Sequence, residues 1–232
     1  MNRAIVLSSG GIDSTTCLAM AVKDYGAENV ISVSVLYGQK HSKEQQCAID
    51  VASFYGVEHR TIDITSLGIF TGSSCTLLAD STEPVAQGTY AEQVSESTSS
   101  IVSTYVPFRN GLMLSLIASM AMSIFPDDKV RIYLGVHSDD TLGHAYADCS
   151  YDFVRVMNDA IFVGTYGRIT VHAPLIRMNK ADVVKKGLEL NAPYELTWSC
   201  YEGGETPCGT CATCLDRAKA FEVNGVADPA LA

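Results

Sequence analysis

Short apolar runs alternate with helix-period segments through the first third of the chain. Ala4-Ile5-Val6-Leu7 is a brief β-rich run that feeds directly into Ser8-Ser9-Gly10-Gly11, so it predicts a strand and then a turn. Ser14 to Val22 follows with Cys17, Leu18 and Ala21 on one side, the spacing of a helix. Val30 to Tyr37 predicts a second strand, and His41 to Tyr55 a helix closed by Gly56, a residue suited to a C-cap. Val57 to Ile64 predicts a third strand. Strand–helix–strand–helix at this spacing implies parallel pairing through right-handed crossovers.

From Thr65 to Thr104 the pattern fails. Gly, Ser and Thr dominate, and Val94 to Ser100 is nearly low complexity. A loop of that length inside a compact domain is usually a lid or disordered, and a lid is expected here because ordered segments bracket it. Regular structure resumes after Val106-Pro107-Phe108-Arg109-Asn110, with a helix through Ile124 that is apolar over most of its circumference and therefore buried. Val130 to Val136 and Ile169 to His172 predict strands, and Ser150 to Gly164 and Asn179 to Leu190 helices, the last begun by Asn179 as its cap. The sum is a doubly wound α/β fold with a mainly parallel five-stranded sheet and helices on both faces. Ligands in such folds sit beyond the carboxyl ends of the strands. Residues 1–195 are expected to form this domain and 196–232 an appendage.

The loop after the first strand carries the most specific chemistry. Two adjacent glycines let backbone approach a ligand closely, and free N–H groups at a helix start attract anions. The hydroxyls of Ser8, Ser9 and Ser14 are expected to share one anion-sized space with them. This is not the nucleotide P-loop, which needs a Lys where Ile12-Asp13 stands, nor the dinucleotide G-x-G-x-x-G. A Ser/Gly turn that merely caps a helix is the plain alternative.

A second signature is Cys200-x7-Cys208-x2-Cys211-x2-Cys214, with Gly203, Gly204 and Gly209 supplying turns. Two tight C-x2-C steps can wrap a tetrahedral ion, and four thiolates suit a closed, structural Zn2+ site. An iron–sulfur cluster is the rival occupant, although the bacterial ferredoxin run has another spacing and a Pro where Leu215 stands. Cys17 and Cys47 fall on predicted helices and read as core residues.

Bulk composition narrows the partners. The 232 residues are 47% hydrophobic, enough for a full core, and the 16 Lys and Arg against 26 Asp and Glu leave a net charge of −10. No basic run marks a nucleic-acid footprint. The first residues enter a strand with no leader pattern, and Leu112 to Phe125, interrupted by Ser115, Ser119 and Ser123, is too short to span a bilayer. A soluble, cytoplasmic protein is expected.

The string Ser9-Gly10-Gly11-Ile12-Asp13-Ser14 resembles the pyrophosphate-binding loop of enzymes that split ATP into AMP and pyrophosphate, the PP-loop ATP pyrophosphatases. With Thr15-Thr16 after it, several other segments extend the likeness. They are Val106-Pro107-Phe108-Arg109-Asn110, Gly135-Val136-His137, Asp148-Cys149 followed by Phe153-Val154, Pro174-Leu175 with Lys180, and Trp198-Ser199-Cys200-Tyr201. Together they resemble the 7-cyano-7-deazaguanine synthases over nearly the whole chain. That resemblance implies an adenine nucleotide alpha hydrolase-like fold, ATP with Mg2+, structural zinc, and a homodimer. It also implies two ATP-driven steps, in which a deazaguanine carboxylate is adenylated and displaced by ammonia, and the resulting amide is adenylated and dehydrated to a nitrile.

On this likeness, the ATP contacts fall on Ser8, Ser9, Gly10, Gly11, Ile12, Asp13, Ser14 and Thr15, with Val35, Leu36 and Tyr37 lining the adenine pocket. Asp13 orients the loop or helps to hold Mg2+, and Arg109 and Lys180 bridge phosphates; an ordinary surface ion pair is the alternative for both cations. Asp148, with Asp140 second, is expected to accept from the guanine-like edge beside Cys149 and Arg109. His137, His144 and His172 read as structural, and no proton acceptor for ammonia is identified. The chain departs from the family pattern at Ser8, where an aromatic or aliphatic residue is usual, and in the lengthened segment Thr141 to Ala147. These departures keep open a related enzyme that stops at the amide or adenylates another acceptor, such as a tRNA base.

Overall fold

The computed structural model describes residues 2–40, 43–89, 92–93 and 102–231. Five strands, β1 (Asn2–Leu7), β2 (Val30–Leu36), β3 (Glu58–Asp63), β4 (Lys129–Tyr133) and β5 (Ile169–His172), form one parallel sheet in the order β3-β2-β1-β4-β5. β1 is central: Ala4 pairs with Val30 of β2 on one side and with Arg131 of β4 on the other. The chain winds outward from β1 to β3, then crosses back to start β4 on the far side. The switch point therefore lies between β1 and β4, where a crevice opens at the carboxyl ends of the strands.

Alternation along β1 divides the core. Ala4 and Val6 face one hydrophobic layer, Ile5 and Leu7 the other, and all four are buried. The first layer is closed by α1 (Ile12–Tyr25), α2 (Lys43–Phe54), α5 (Lys180–Glu189) and α6 (Ala212–Val223), contributing Leu18, Val51, Val183 and Phe221. The second is closed by α3 (Arg109–Ile124) and α4 (Tyr151–Gly164), through Leu114, Ile117, Val154 and Ile161. The doubly wound expectation holds, with ends shifted by a few residues.

Local chemistry sets several boundaries. Ser150 caps α4 by accepting from the Phe153 N–H, and Asn179 opens α5 with a reciprocal capping box to Asp182. The last helix starts at Ala212, earlier than the Leu215 that follows the cysteine motif, so Cys211 is its N-cap and Cys214 lies in its first turn. Among the described residues no helix is long and apolar enough to cross a membrane.

Two expectations are modified. Phe221 is 1% exposed within the main core, so the segment from 196 onward packs as part of the same body. In the irregular stretch after β3, described residues are docked: Thr76 donates its N–H to Ser103 O at 2.8 Å, and Cys75, Leu78 and Val106 form a small cluster. The low-complexity run Val94 to Ser100 lies outside the described residues.

Arg217 ties the C-terminus down. Its guanidinium donates to both Asp228 carboxylate oxygens (2.5 and 2.8 Å), to Thr197 Oγ1 (2.9 Å) and to Tyr194 O (3.3 Å), and Arg217 and Asp228 side chains are 7% and 5% exposed. Removing one member of such a pair strands a buried charge, which costs about 3–5 kcal/mol. Arg217→Met is expected to lower unfolding stability by about that amount, read as a shift in the urea midpoint of metal-replete protein.

Candidate active site

The turn from β1 into α1 faces a cavity of about 260 Å3 at the switch point. Gly10 adopts φ +83°, and a Cβ there would collide with the Glu44 carbonyl oxygen and lie 2.8 Å from Ala48 N. Only glycine lets the loop lie against α2 in that conformation. Gly10 O also accepts the Trp198 N–H at 2.9 Å. Ser14 Oγ accepts the Ser9 N–H at 3.2 Å, lies 3.3 Å from Ser9 Oγ and donates to Gly11 O at 3.2 Å. Ser9, Gly11 and Ser14 thus make one ring of polar groups beside the free N–H groups that begin α1.

The Ser8 hydroxyl is elsewhere. It accepts from Ser32 Oγ at 2.8 Å, and Ser32 Oγ lies 3.0 Å from His59 Nδ1, so this side chain is committed between the strands. Ser8 still lines the cavity with Ser9 and Ser14, but its hydroxyl is hydrogen-bonded to Ser32. Thr15 Oγ1 is buried without a hydrogen-bond partner, and Thr15 and Gly10 do not line the cavity, whereas Ile12, Asp13, Leu36 and Tyr37 do.

A charged cluster occupies the β4 side. Lys180 Nζ donates to both Asp13 oxygens, at 2.8 and 2.7 Å, and lies 3.4 Å from His137 Nε2. The His137 N–H donates to Asp140 Oδ2 at 2.9 Å, and the Lys180 N–H to Asp139 Oδ2 at 2.8 Å. Burial raises the Asp13 carboxyl, but the Lys180 ammonium outweighs it and holds Asp13 below the usual range. Asp140 and Asp216, which also line the cavity, are pushed up by burial. Gly135 admits this arrangement, since a Cβ there would come within 3.1 Å of the Asp13 and Ser14 backbone.

Across the cavity, Phe108 is the N-cap of α3 in a left-handed conformation (φ +53°), and Arg109 follows it. Arg109 Nη1 lies 3.4 Å from Tyr37 OH, with the guanidinium 5.9 Å from the Tyr37 ring centre. Asp148 is not among the lining residues. Its Oδ2 accepts the Asn110 N–H at 2.9 Å and its carbonyl accepts from Asn110 Nδ2 at 3.0 Å, so it caps α3 from outside. The orphan donors of a helix start attract the nearest carboxylate, which explains the difference from expectation. Asp140 and Cys149 do line the cavity. Trp198, noted in the sequence as the entry to the cysteine cluster, also lines it, as do Glu44 and Asp216, which were not singled out from the sequence. For Asp216, the signal was its place two residues after the last cysteine of the cluster; Glu44 had none.

The cysteine cluster lies behind one wall: its chain neighbours Trp198, Ser199, Tyr201, Thr213 and Asp216 line the cavity, whereas the four cysteines do not. Cys200, Cys208, Cys211 and Cys214 place their sulfurs within 4.8 Å of one another and could hold one metal ion. Zn–S bonds of about 2.3 Å separate tetrahedral sulfurs by about 3.8 Å, so the donor set fits Zn2+ in size and chemistry. The Cys208 sulfur accepts N–H groups from Thr210 (3.5 Å) and Cys211 (3.3 Å); against the opposing effect of burial, these hold its thiol below the usual range. Trp198 Nε1 donates to Cys200 O at 2.8 Å, and the Lys43 ammonium sits 3.8 Å above the Trp198 ring while donating to Gly204 O and Glu205 O. Gln87 reaches Glu202 at 3.0 Å, so part of the long loop is fastened to the same wall.

A parallel 3-2-1-4-5 sheet with a paired-glycine loop at its switch point defines a doubly wound α/β protein of the adenine nucleotide alpha hydrolase-like fold. The likeness in fold extends to NMN synthetase from Francisella tularensis, at TM-score 0.51 and 15% identity over 97% of this chain and 78% of that one. The chain belongs to the family of the queuosine biosynthesis protein QueC, whose model matches residues 3–225. It is 39% identical to the 7-cyano-7-deazaguanine synthase of Archaeoglobus fulgidus over 99% of this chain and 90% of the relative. It is 41% identical to that of Oceanobacillus iheyensis over 98% and 96%.

Cys208→Ser removes one of four sulfurs from a closed site. Metal content, read by elemental mass spectrometry, is expected to fall well below the about one ion per chain of the wild type, with a lower thermal midpoint. Undiminished metal would show that Cys208 is not a ligand.

Proposed function

We propose that this chain uses ATP to convert 7-carboxy-7-deazaguanine and ammonia into 7-cyano-7-deazaguanine, acting as a carbon–nitrogen ligase. What carries the reading is the near-full-length match to 7-cyano-7-deazaguanine synthases. The loop, Arg109 and the Lys180 cluster around one cavity, with the four-cysteine cluster behind the wall that carries Trp198, are consistent with it.

In this reading the N–H groups at the start of α1, with Ser9 and Ser14, receive the departing pyrophosphate. Preorganised donors of that kind stabilise charge as it develops. Lys180 stands beside them, already desolvated and paired with Asp13, and can turn toward phosphate oxygens when the nucleotide arrives. Arg109 faces the reacting carboxylate, and Leu36 with Tyr37 walls the adenine. Asp13 would help to hold Mg2+, which usually binds through one or two carboxylates plus phosphates and neutralises phosphate charge. Structural Zn2+ on the four cysteines would fix the wall that carries Trp198, Ser199 and Tyr201.

Asp140 replaces Asp148 as the proposed acceptor for the base edge, because it lines the cavity and Asp148 does not. Residues 1–195 supply the nucleotide loop, and 196–232 the metal-bound wall. Pairing as a homodimer belongs to the same proposal.

Incubation with ATP, ammonium and the deazaguanine carboxylate is expected to release AMP and a product lighter than the amide by one water, read by mass spectrometry. An amide end product would favour the related enzyme that stops one step earlier. Absence of AMP release would overturn the reading.

A further inference from the structure

The proposed reaction removes three protons from nitrogen, one as ammonia adds and two as the amide becomes the nitrile. When ammonia attacks the acyl adenylate, a C–N bond forms, the C–O bond to AMP breaks with its electrons leaving on AMP, and the new ammonium must lose a proton. When the amide oxygen attacks the α-phosphate of a second ATP, pyrophosphate leaves and the C=NH2+ group loses one proton. When this adenylated imidate collapses, the C–O bond to AMP breaks, the last N–H electron pair enters the C≡N bond, and that proton leaves. Each proton needs an acceptor inside a cavity from which bulk water is largely displaced once ATP and substrate are bound.

Among the described residues, four carboxylates line the cavity: Asp13, Glu44, Asp140 and Asp216. Asp13 is held by Lys180 at 2.8 and 2.7 Å, and Asp140 accepts the His137 N–H and faces its ring at 3.4 Å. Asp216 lies within the field of Lys180, Asp139, His137 and Asp140. Glu44 stands apart from that cluster. It lies in the first turn of α2, its carbonyl against Gly10, and among the described residues no hydrogen bond engages its carboxylate. The charged and titratable groups around it are Arg109 from α3, Tyr37 beyond β2, and Lys43 and Cys47 on its own helix.

That position is adjacent to the reacting centre. The phosphate loop lies on one side of Glu44, and Arg109, the cation facing the substrate carboxyl in the reading above, acts on it from another. A base recognised by its guanine-like edge has that edge at the opposite end of the ring system from the 7-carboxyl group. A carboxylate that lines the cavity within the field of Arg109, on the helix that packs against the phosphate loop, is therefore placed for the nitrogen that forms, not for the edge.

We propose that Glu44 is the proton acceptor for the attacking ammonia and for the adenylated amide. Resting on the ligase reading, this assigns the base that the sequence leaves unidentified. Burial, opposed by the Arg109 guanidinium, pushes the Glu44 carboxyl up to about 7. A group of that strength takes up a proton near neutrality and gives it back readily. It also means that acceptance fails as pH falls through about 7, where Glu44 becomes the neutral acid.

The test compares full-length, metal-replete wild type with Glu44→Gln and Glu44→Asp. Exchange of labelled pyrophosphate into ATP, with the deazaguanine carboxylate and without ammonia, reads adenylation alone. In Glu44→Gln this exchange is expected to stay within about threefold of wild type, while AMP-linked amide formation falls by about 10²-fold. At a fixed concentration of neutral NH3, the wild-type rate should fall below about pH 7, and Glu44→Gln should lack that limb. Retention of the limb and of the amide rate would overturn the inference. So would equal losses in exchange and amide formation, the mark of a structural or base-binding role. Should Glu44→Gln not fold, a displaced limb in Glu44→Asp supports the assignment and an unmoved one refutes it. Wild type that releases no AMP refutes the ligase reading itself; turnover indifferent to position 44 refutes only this inference.

Discussion

Gly10 is the point on which the site is assembled. Its positive φ and missing Cβ let the loop after β1 touch the first turn of α2, and its carbonyl receives the Trp198 N–H from the approach to the cysteine cluster. Three parts of the chain far apart in sequence therefore meet on one residue. Any side chain there would push α2 outward and carry Glu44 with it, and would loosen Trp198. Close approach of backbone to backbone is a constraint that no adjustment of neighbouring rotamers can relieve.

The charge arrangement follows from that geometry. A chain of net charge −10 has to receive a polyanion, and it does so by local fields. The start of α1 offers unpaired N–H groups, and Lys180 is drawn in by Asp13 and lies beside His137 and Asp140. Arg109 supplies a second, separate cation held over Tyr37. The carboxylates that gather Lys180 lower the local potential again, which is the setting in which a divalent ion and a nucleotide can enter together as a neutralised pair.

The wall in front of the cysteine cluster reaches the same cavity by packing alone. Lys43 covers Trp198 and binds two carbonyls of the Cys200–Cys208 loop, so the beginning of α2 and the metal loop constrain one another. Val85 packs with Trp198, Cys200, Cys211 and Cys214, and Gly88 N–H donates to Thr210 O. Part of what reads as a lid is thereby anchored on the wall.

Periodicity and composition by themselves determined the doubly wound fold, the paired-glycine loop and the four-cysteine cluster, because each is a local signal: runs of apolar residues, a turn that only glycine makes, and short spacings between thiols. The direction of individual side chains was decided only by tertiary structure. Ser8 sits in the motif yet turns between strands toward Ser32, and Asp148 spends its carboxylate on the Asn110 N–H. Glu44, in a polar run that reads as an ordinary helix start, ends in the cavity wall within the field of Arg109. Which buried polar group finds a partner depends on neighbours brought from distant segments, and the desolvation that follows exists only once the strands and helices have closed around them.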